Sequence, residues 1–278
     1  FPAPDTGHDA MTKPAHAHRL ISLDEAAALV RPGDTLALGG NMLYRRPVAF
    51  VRALLRRSDL PRELTLLAIT AGYESDLLVG AGLVRQTRTC YFGLEAFGFA
   101  PMFTEAVHAG RCTVIEETEA SLAFGIRATM AGVDFMPSRA WLGTDLLALR
   151  PDVQTLASPY SGEEVVAFPA IDCDVAVIHA LAADPQGNVR LNKNLGIDLE
   201  LAVIARTVIV TTEAVVDRLD EADLPGALVD HVVEAPRGAW PTSCYPHYSI
   251  NGDELLRYLD ACGAGAFDAY CATLTQEN

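Results

Sequence analysis

The sequence predicts an α/β fold with a mainly parallel sheet, and three observations support this prediction. Short β-rich runs alternate with amphipathic stretches through the first half of the chain, which is the order that βαβ units produce. The segments 172–180 and 207–211 contain the apolar runs Val175–Ile178 and Val208–Val210, which are typical of strands buried inside such a sheet. Half of the 278 residues are apolar, so the chain can bury a large core.

The elements follow from local signals taken in chain order. A first helix is predicted over roughly 23–31, because Ser22 and Glu25 form a capping-box pattern and Pro32-Gly33 ends the element. The alternation then predicts strand 35–39, helix 47–57, strand 64–69, helix 74–82, strand 87–92, helix 101–109, strand 111–115 and helix 118–132. The second half predicts strands 164–169 and 172–180, a turn at 184–187, helix 196–206, strand 207–211 and long loops at 151–163 and 235–247.

The domain prediction separates a short leader from one folded unit. Residues 1–18 mix Pro, Gly, His and Ala without periodicity around Met11, so we expect a disordered leader or tag remnant there. No repeat or low-complexity linker interrupts the rest of the sequence. Residues 19–278 are therefore expected to form a single α/β domain.

Composition excludes several classes of function. The net charge of −15 argues against a nucleic-acid partner and against anionic membrane surfaces. No apolar run reaches the roughly 18 to 20 residues that a bilayer requires, so a cytoplasmic protein without membrane association is expected. The six cysteines form no C-x-x-C pair, and no H-E-x-x-H motif is present, so we expect no bound metal.

The segment from Arg31 to Arg57 predicts a ligand-binding corner. An apolar strand ends at Gly39-Gly40, and a helical pattern starts after Pro47. Two glycines let backbone N–H groups approach a ligand, and the helix behind them points its positive end at the same place. We therefore expect an anionic substrate near Gly39, Gly40 and Asn41.

Arginines near this corner are candidates for holding a substrate carboxylate, since a guanidinium fork matches that anion. Arg46 is favoured over Arg45, because Arg46 follows the glycine turn and precedes the helix start. Arg139 is a further candidate. The alternative interpretation is that these arginines lie on the surface and bind nothing.

Glu119 occupies the first position of a helical face that continues with Leu122, Ala123, Ile126 and Met130. One interpretation is a first-turn acid that complements the helix dipole, worth a few tenths of a kcal/mol to about 1 kcal/mol. The other is a partly desolvated carboxylate at a cleft, acting as a base or nucleophile. Spacing alone favours the first interpretation.

Further candidates lie in the second half. His179 ends an apolar strand and fits a structural histidine as well as a site residue. Ser158 and Tyr160 in one long loop, and Ser243 and Tyr245 in the other, supply hydroxyl groups.

Three segments together resemble the α subunit of class I CoA-transferases, in particular that of the glutaconate CoA-transferases. They are GDTLALGGNMLYRRP, ASPYSGEEVVAFPAIDCDVAVIHALAADPQGNVR and VDHVVEAPRGAWPTSCY, and they occur in the family's order between about residues 20 and 260. The resemblance implies a Rossmann-like open sheet. The familiar pattern has phenylalanine and glycine where this chain has Asn41 and Arg46.

The same resemblance implies a split active site. In this family the glutamate that forms the thioester intermediates belongs to the β subunit, and nothing in this sequence matches its motif. We therefore expect the chain to act only with a β subunit, in an α2β2 heterotetramer, on acyl-CoA and carboxylates of the dicarboxylate type such as glutaconate. Coenzyme A is then a substrate, and no cofactor is permanently bound.

Two other branches of the superfamily remain alternatives. The segment PVAFVRALLR resembles the α subunit of a hydrolase that opens a ring in steroid-derived CoA thioesters, and its functional glutamate and arginine correspond to Glu119 and Arg139. A third branch decarboxylates a methylglutaconyl thioester. A non-enzymatic acyl-CoA sensor is disfavoured, because no basic DNA-binding module is present.

Overall fold

The computed structural model describes residues 19–276 of the chain. The predicted leader, 1–18, lies outside this range. The strands are β1 (Thr35–Leu38), β2 (Leu64–Ala71), β3 (Val84–Phe92), β4 (Thr113–Glu116), β5 (Phe135–Ser138), β6 (Gln154–Ala157), β7 (Glu164–Pro169), β8 (Cys173–Ala180), β9 (Ala182–Ala183), β10 (Val189–Arg190), β11 (Ala205–Thr212) and β12 (His231–Glu234). The α-helices are α1 (Leu23–Ala28), α2 (Val48–Arg56), α3 (Tyr73–Gly80), α4 (Pro101–His108), α5 (Glu119–Ala131), α6 (Leu146–Leu149), α7 (Asp198–Ile204), α8 (Gly252–Gly263) and α9 (Phe267–Gln276).

A seven-stranded parallel sheet forms the centre of the structure, in the order β12-β11-β8-β1-β2-β3-β4. The chain builds outward from β1 to β4 on one side and from β8 to β12 on the other. Strand order therefore reverses between β1 and β8, where Ala37 pairs with Ala176. Ligands of open parallel sheets bind outside the carboxyl ends of the strands at such a switch point.

Helices cover both faces of the sheet and create two apolar layers. Leu36 and Leu38 point into the layer that includes α1, α2, α3, α8 and α9, whereas Ala37 points into the layer that includes α5 and α7. This alternation follows from the two-residue period of a strand. Each fully buried leucine contributes roughly 1.5–3 kcal/mol, so this double coverage holds the switch point rigidly.

The α/β fold with a mainly parallel sheet is confirmed, and the boundaries of most predicted elements differ by a few residues. The prediction missed a second sheet of three antiparallel strands, β5-β7-β6. Strand 164–169 was predicted, but it belongs to this outer sheet. The loop predicted at 151–163 contains β6, and the chain after 247 contains α8 and α9.

Among the helices within 19–276, none combines the length and apolar character needed to cross a membrane.

Candidate active site

Gly39 and Gly40 lie directly after β1, at the switch point. A Cβ on Gly39 would approach Asp198 Oδ1 to 2.4 Å. Gly40 has a φ of 85°, and a Cβ there would lie 2.6 Å from the carbonyl oxygens of Tyr44 and Arg45. Side chains are excluded at both positions because of close approach, and at Gly40 also because of backbone conformation.

The backbone donors of this corner are engaged within the chain. Gly39 N–H donates to Val177 O at 2.9 Å, and Gly40 N–H donates to Asp198 Oδ1 at 2.7 Å. The N–H of Asn41 donates to Tyr44 O at 3.0 Å. The expectation of free N–H donors is therefore corrected: the glycines allow the close packing of strand and carboxylate.

Arg45 forms a buried ion pair that ties the corner to the neighbouring strands. Its Nη2 lies 2.6 Å from Asp198 Oδ2, and both side chains are 0% exposed. Its Nη1 donates to the carbonyl oxygen of His179 at 2.7 Å. The guanidinium therefore links the corner to β8 and to Asp198 across the switch point, and it is not free to hold a substrate.

Arg46 also lies in the interior, which corrects the expectation of an open guanidinium fork. Its Nη2 lies 2.5 Å from Glu74 Oε1, and both side chains are 0% exposed. Ser75 Oγ donates to the same carboxylate oxygen at 2.6 Å. Because the guanidinium is fully buried and pairs with Glu74 through Nη2, Arg46 supports the corner from its buried side. Direct contact with a substrate stays a prediction.

A polar edge remains exposed beside the corner, and sequence reasoning missed most of it. Asn41 Nδ2 donates to Asn194 Oδ1 at 3.1 Å. Tyr44 OH donates to Tyr245 O at 2.5 Å and also contacts Asn192. The available signal was the pair of asparagines that flanks Lys193, the single lysine of the described residues.

His179 belongs to a buried network at the carboxyl ends of β8 and β11. Its Nε2 lies 2.9 Å from Glu213 Oε1, its Nδ1 lies 2.9 Å from Thr211 Oγ1, and Tyr248 OH donates to the same glutamate oxygen. Burial lowers the pKa of His179. Burial alone would raise the pKa of Glu213, but hydrogen bonds from His179 and Tyr248 hold it below its usual value. A neutral imidazole and an ionised carboxylate result.

His179, Glu213 and Cys244 place their ligand atoms within 4.8 Å of one another, so the group was considered as a metal centre. Burial, followed by the nearby glutamate, raises the pKa of Cys244 to about 12. The ring nitrogens of His179 already contact Thr211 and Glu213, and Glu213 also accepts from Tyr248. These contacts explain the group as a hydrogen-bonded network, and the expectation of no bound metal stays a prediction.

Glu119 is exposed at the first position of α5, and the hydroxyl of Thr118 caps that helix. The neighbouring Glu117 is 4% exposed and is held by Arg88 at 2.7 Å and Arg150 at 2.9 Å. Glu117, which sequence reasoning did not select, therefore anchors the helix start. The carboxylate of Glu119 is left accessible to solvent.

Arg139 and Ser158 line one cavity of about 810 Å³ on the outer sheet. Its walls include Phe135, Leu156 and Val165. Arg139 Nη1 lies 3.0 Å from Glu163 Oε2. The structure thus brings Arg139 and Ser158 together, but Gly39, Gly40 and Asn41 do not line this cavity.

Comparison with known proteins places these features in a family. The family model described as Coenzyme A transferase matches residues 20–235. The α subunit of glutaconate CoA-transferase from Acidaminococcus fermentans is 32% identical, covering 89% of this chain and 84% of that protein. The cholesterol ring-cleaving hydrolase IpdA subunit of Rhodococcus jostii is 34% identical, covering 85% and 82%. The chain spans 56% of the length of an uncharacterised Archaeoglobus fulgidus protein that is 32% identical.

Solved structures agree with this similarity. The AibA/AibB decarboxylase has a TM-score of 0.88 at 32% identity, covering 95% of this chain and 100% of that chain. Glutaconate coenzyme A-transferase of Acidaminococcus fermentans has a TM-score of 0.85 at 30% identity, covering 92% and 88%. Family model, relatives and fold thus lead to one conclusion: the chain belongs to the Coenzyme A transferase family, an enzyme family.

Proposed function

We propose that this chain is the α subunit of a heteromeric CoA-transferase that moves coenzyme A between carboxylic acids, with a dicarboxylate such as glutaconate as one substrate. The observation that carries the proposal is the glycine corner with its partly exposed Asn41 amide at the switch point between β1 and β8. It occurs in a chain that is 32% identical to the α subunit of a glutaconate CoA-transferase.

The charges around the corner support a split active site. Asp198, Glu74 and Glu213 are buried and hydrogen-bonded to an arginine or a histidine. A carboxylate in such a pair is a poor nucleophile, because leaving the partner unpaired is costly. The attacking glutamate is therefore proposed to come from a β subunit, in an α2β2 assembly.

The proposed reaction follows the chemistry of covalent catalysis. The β-subunit glutamate attacks the donor thioester and releases CoA as the thiolate, which then attacks the resulting anhydride. This forms an enzyme thioester and frees the first carboxylic acid, and an acceptor carboxylate then collects the CoA. Coenzyme A is a substrate in this scheme, and no permanently bound cofactor is needed. The proposed cytoplasmic location is inferred from the sequence.

The predicted site residues take different roles in this proposal. Asn41 offers its side-chain amide to the acyl group, while Gly39 and Gly40 give the corner its shape. Arg46 holds the corner from its buried side through Glu74. Arg139 and Ser158 contact a distal part of the substrate from their own cavity.

The test uses the chain purified together with its co-expressed β subunit. Transfer of CoA from acetyl-CoA to glutaconate is expected, and borohydride is expected to trap an enzyme thioester. Asn41→Ala should lower kcat at least about tenfold, since one donor at a developing oxyanion is worth more than that. Arg218→Gln is the matched control, because this exposed side chain pairs with Asp220 and has no contact with the corner residues. Transfer by the isolated chain, or turnover without a trappable thioester, would contradict the proposal.

A second candidate function is hydrolysis of a carbon–carbon bond in a ring-bearing CoA thioester. Two observations favour it: the exposed Glu119 at the start of α5, and the apolar cavity of about 810 Å³ beside Arg139. Glu119 would act as the base, and Arg139 would orient a ring carboxylate. Loss of ring opening in Glu119→Gln, without any trapped thioester, would favour this candidate. Release of carbon dioxide from a glutaconyl thioester would instead favour a decarboxylase.

A further inference from the structure

A second cavity, of about 500 Å³, lies between the start of α1, the outer face of α2 and the loop that follows β12. Arg52 and Arg56 line it from α2, and Arg237 lines it from the loop. Three arginines around one cavity are unexpected in a chain with a net charge of −15. The cavity is separate from the exposed edge at Asn41 and from the cavity of Arg139.

The positive charge in this cavity is incompletely neutralised. Arg56 pairs with the exposed Asp24 at 2.9 Å. Within the part of the chain that the structure describes, Arg52 and Arg237 form no ion pair, and Arg52 Nε and Nη2 are buried without a hydrogen-bond partner. Glu234 is the carboxylate of the lining. An anion in the cavity would offset the charge of the arginines that line it and would therefore stabilise this arrangement.

The two unpaired arginines are held in place by aromatic rings. Arg52 lies over the ring of Trp240 at 5.2 Å, and Arg237 lies over the ring of Tyr248 at 5.4 Å. These contacts fix the guanidinium planes without cancelling their charge. Arg237 also has a φ of 57°, an uncommon conformation for a residue with a side chain, and its N–H donates to Glu213 at 2.7 Å.

The remaining walls suit an organic molecule. Leu23, Ala49, Ala235 and Pro236 contribute apolar surface. The volume lies within the range of roughly 300–1,000 Å³ that is typical of small-molecule sites. A phosphate monoester carries about −1.5 to −2 charges at pH 7, which matches two unpaired arginines better than a single carboxylate does.

We propose that this cavity is a binding site for an organic phosphate, whose phosphate group is held by Arg52 and Arg237 and whose body packs against Trp240 and Pro236. Two sources share this chemistry: the phosphorylated head of coenzyme A, or a separate phosphate effector. The inference does not depend on the proposed function, because it concerns binding to this chain alone.

The experiment is a calorimetric titration of the full chain with inorganic pyrophosphate. Saturable binding is expected, and Arg52→Gln and Arg237→Gln should each weaken it at least about tenfold, the effect of losing one charge-assisted hydrogen bond. The matched control Arg218→Gln should change the affinity less than about twofold, because this exposed side chain does not line the cavity and exposed charges are screened by salt. Circular dichroism of each variant establishes that the fold is retained.

One further variant separates binding from a merely structural role. Glu234→Gln removes the lining carboxylate, so pyrophosphate should bind about threefold more tightly or better through reduced repulsion. A purely structural arginine cluster would show no such gain. Absence of saturable binding up to millimolar pyrophosphate, or binding that is equal in wild type and all three variants, would overturn the proposal.

Competition then identifies the source of the phosphate. If CoA displaces pyrophosphate more strongly than dephospho-CoA does, the cavity takes the coenzyme's phosphorylated head. If pyrophosphate binds and neither compound displaces it, the cavity takes a separate organic phosphate. Because no turnover is measured, a failed transfer assay and a failed titration remain distinguishable.

Discussion

Removal of the Asp198 carboxylate tests how the glycine corner is held together. Asp198 accepts the Gly40 N–H at 2.7 Å and pairs with Arg45 at 2.6 Å, and both charged side chains are 0% exposed. Asp198→Ala leaves a buried guanidinium without its counter-ion. Breaking a buried pair in this way costs about 3–5 kcal/mol, so the free energy of unfolding should fall by that amount. Asp198→Asn keeps an acceptor for Gly40 and should lose less.

The measurement is urea unfolding followed by circular dichroism, with midpoints and slopes compared between variants. Asp220→Asn is the matched control, because it breaks an exposed pair with Arg218 at 3.4 Å, and such pairs contribute little. If Asp198→Ala unfolds at the wild-type urea concentration, the charge of Arg45 is compensated by other groups. The structural role assigned to the pair would then be wrong.

Three other substitutions test separate features. Arg46→Ala should lower the free energy of unfolding by about 3–5 kcal/mol, because it leaves Glu74 buried and unpaired. The double variant with Glu74→Ala should recover part of this loss. Unchanged stability, together with a raised KM for dicarboxylates alone, would instead indicate that Arg46 binds the substrate. Glu119→Gln should change unfolding by less than about 1 kcal/mol and leave CoA transfer intact, whereas a hydrolase would lose activity. Burial raises the pKa of Asp76 to about 6, above its unfolded value of 3.8. The carboxyl of Asp76 therefore binds its proton more tightly in the folded state, and the free energy of unfolding should fall as pH rises from about 4 to about 6. In a series of urea midpoints measured against pH, Asp76→Asn should flatten the curve between these pH values. An unchanged slope would exclude Asp76 as the source of the pH dependence.

Six of the seven strands of the main sheet were predicted, because most of them contain long apolar runs or end at glycine signals. The four-residue β12 was missed. β8 and β11 are buried along most of their length, so the sequence pattern is strong. The outer sheet was missed because β5 and β6 have four residues each and are largely exposed. Without a buried face, such short strands lack the alternation that identifies them, and β7 supplies the pairing that makes them strands.

The candidate site was predictable in position but not in its charge pairing. Gly39-Gly40 correctly indicated a tight corner at the end of a strand. The acceptor of the Gly40 N–H is Asp198, which lies 158 residues away in the sequence, and no local pattern connects the two. The same limitation applies to Arg46, whose partner Glu74 follows the next strand. Long-range pairing thus gives the Gly40 N–H and Arg46 partners inside the chain that no local pattern predicts.

The pairing of charges also bears on how this chain takes part in catalysis. The carboxylates next to the corner, Asp198 and Glu74, each neutralise a buried arginine, so neither can attack an acyl carbon without leaving a cation unpaired. What the corner exposes is the amide of Asn41, next to the amide of Asn194. Amide groups donate hydrogen bonds to a developing oxyanion and do not form thioester intermediates. We therefore propose that the corner holds and polarises an acyl group, which is the part that the proposed function gives to an α subunit whose partner carries the nucleophile.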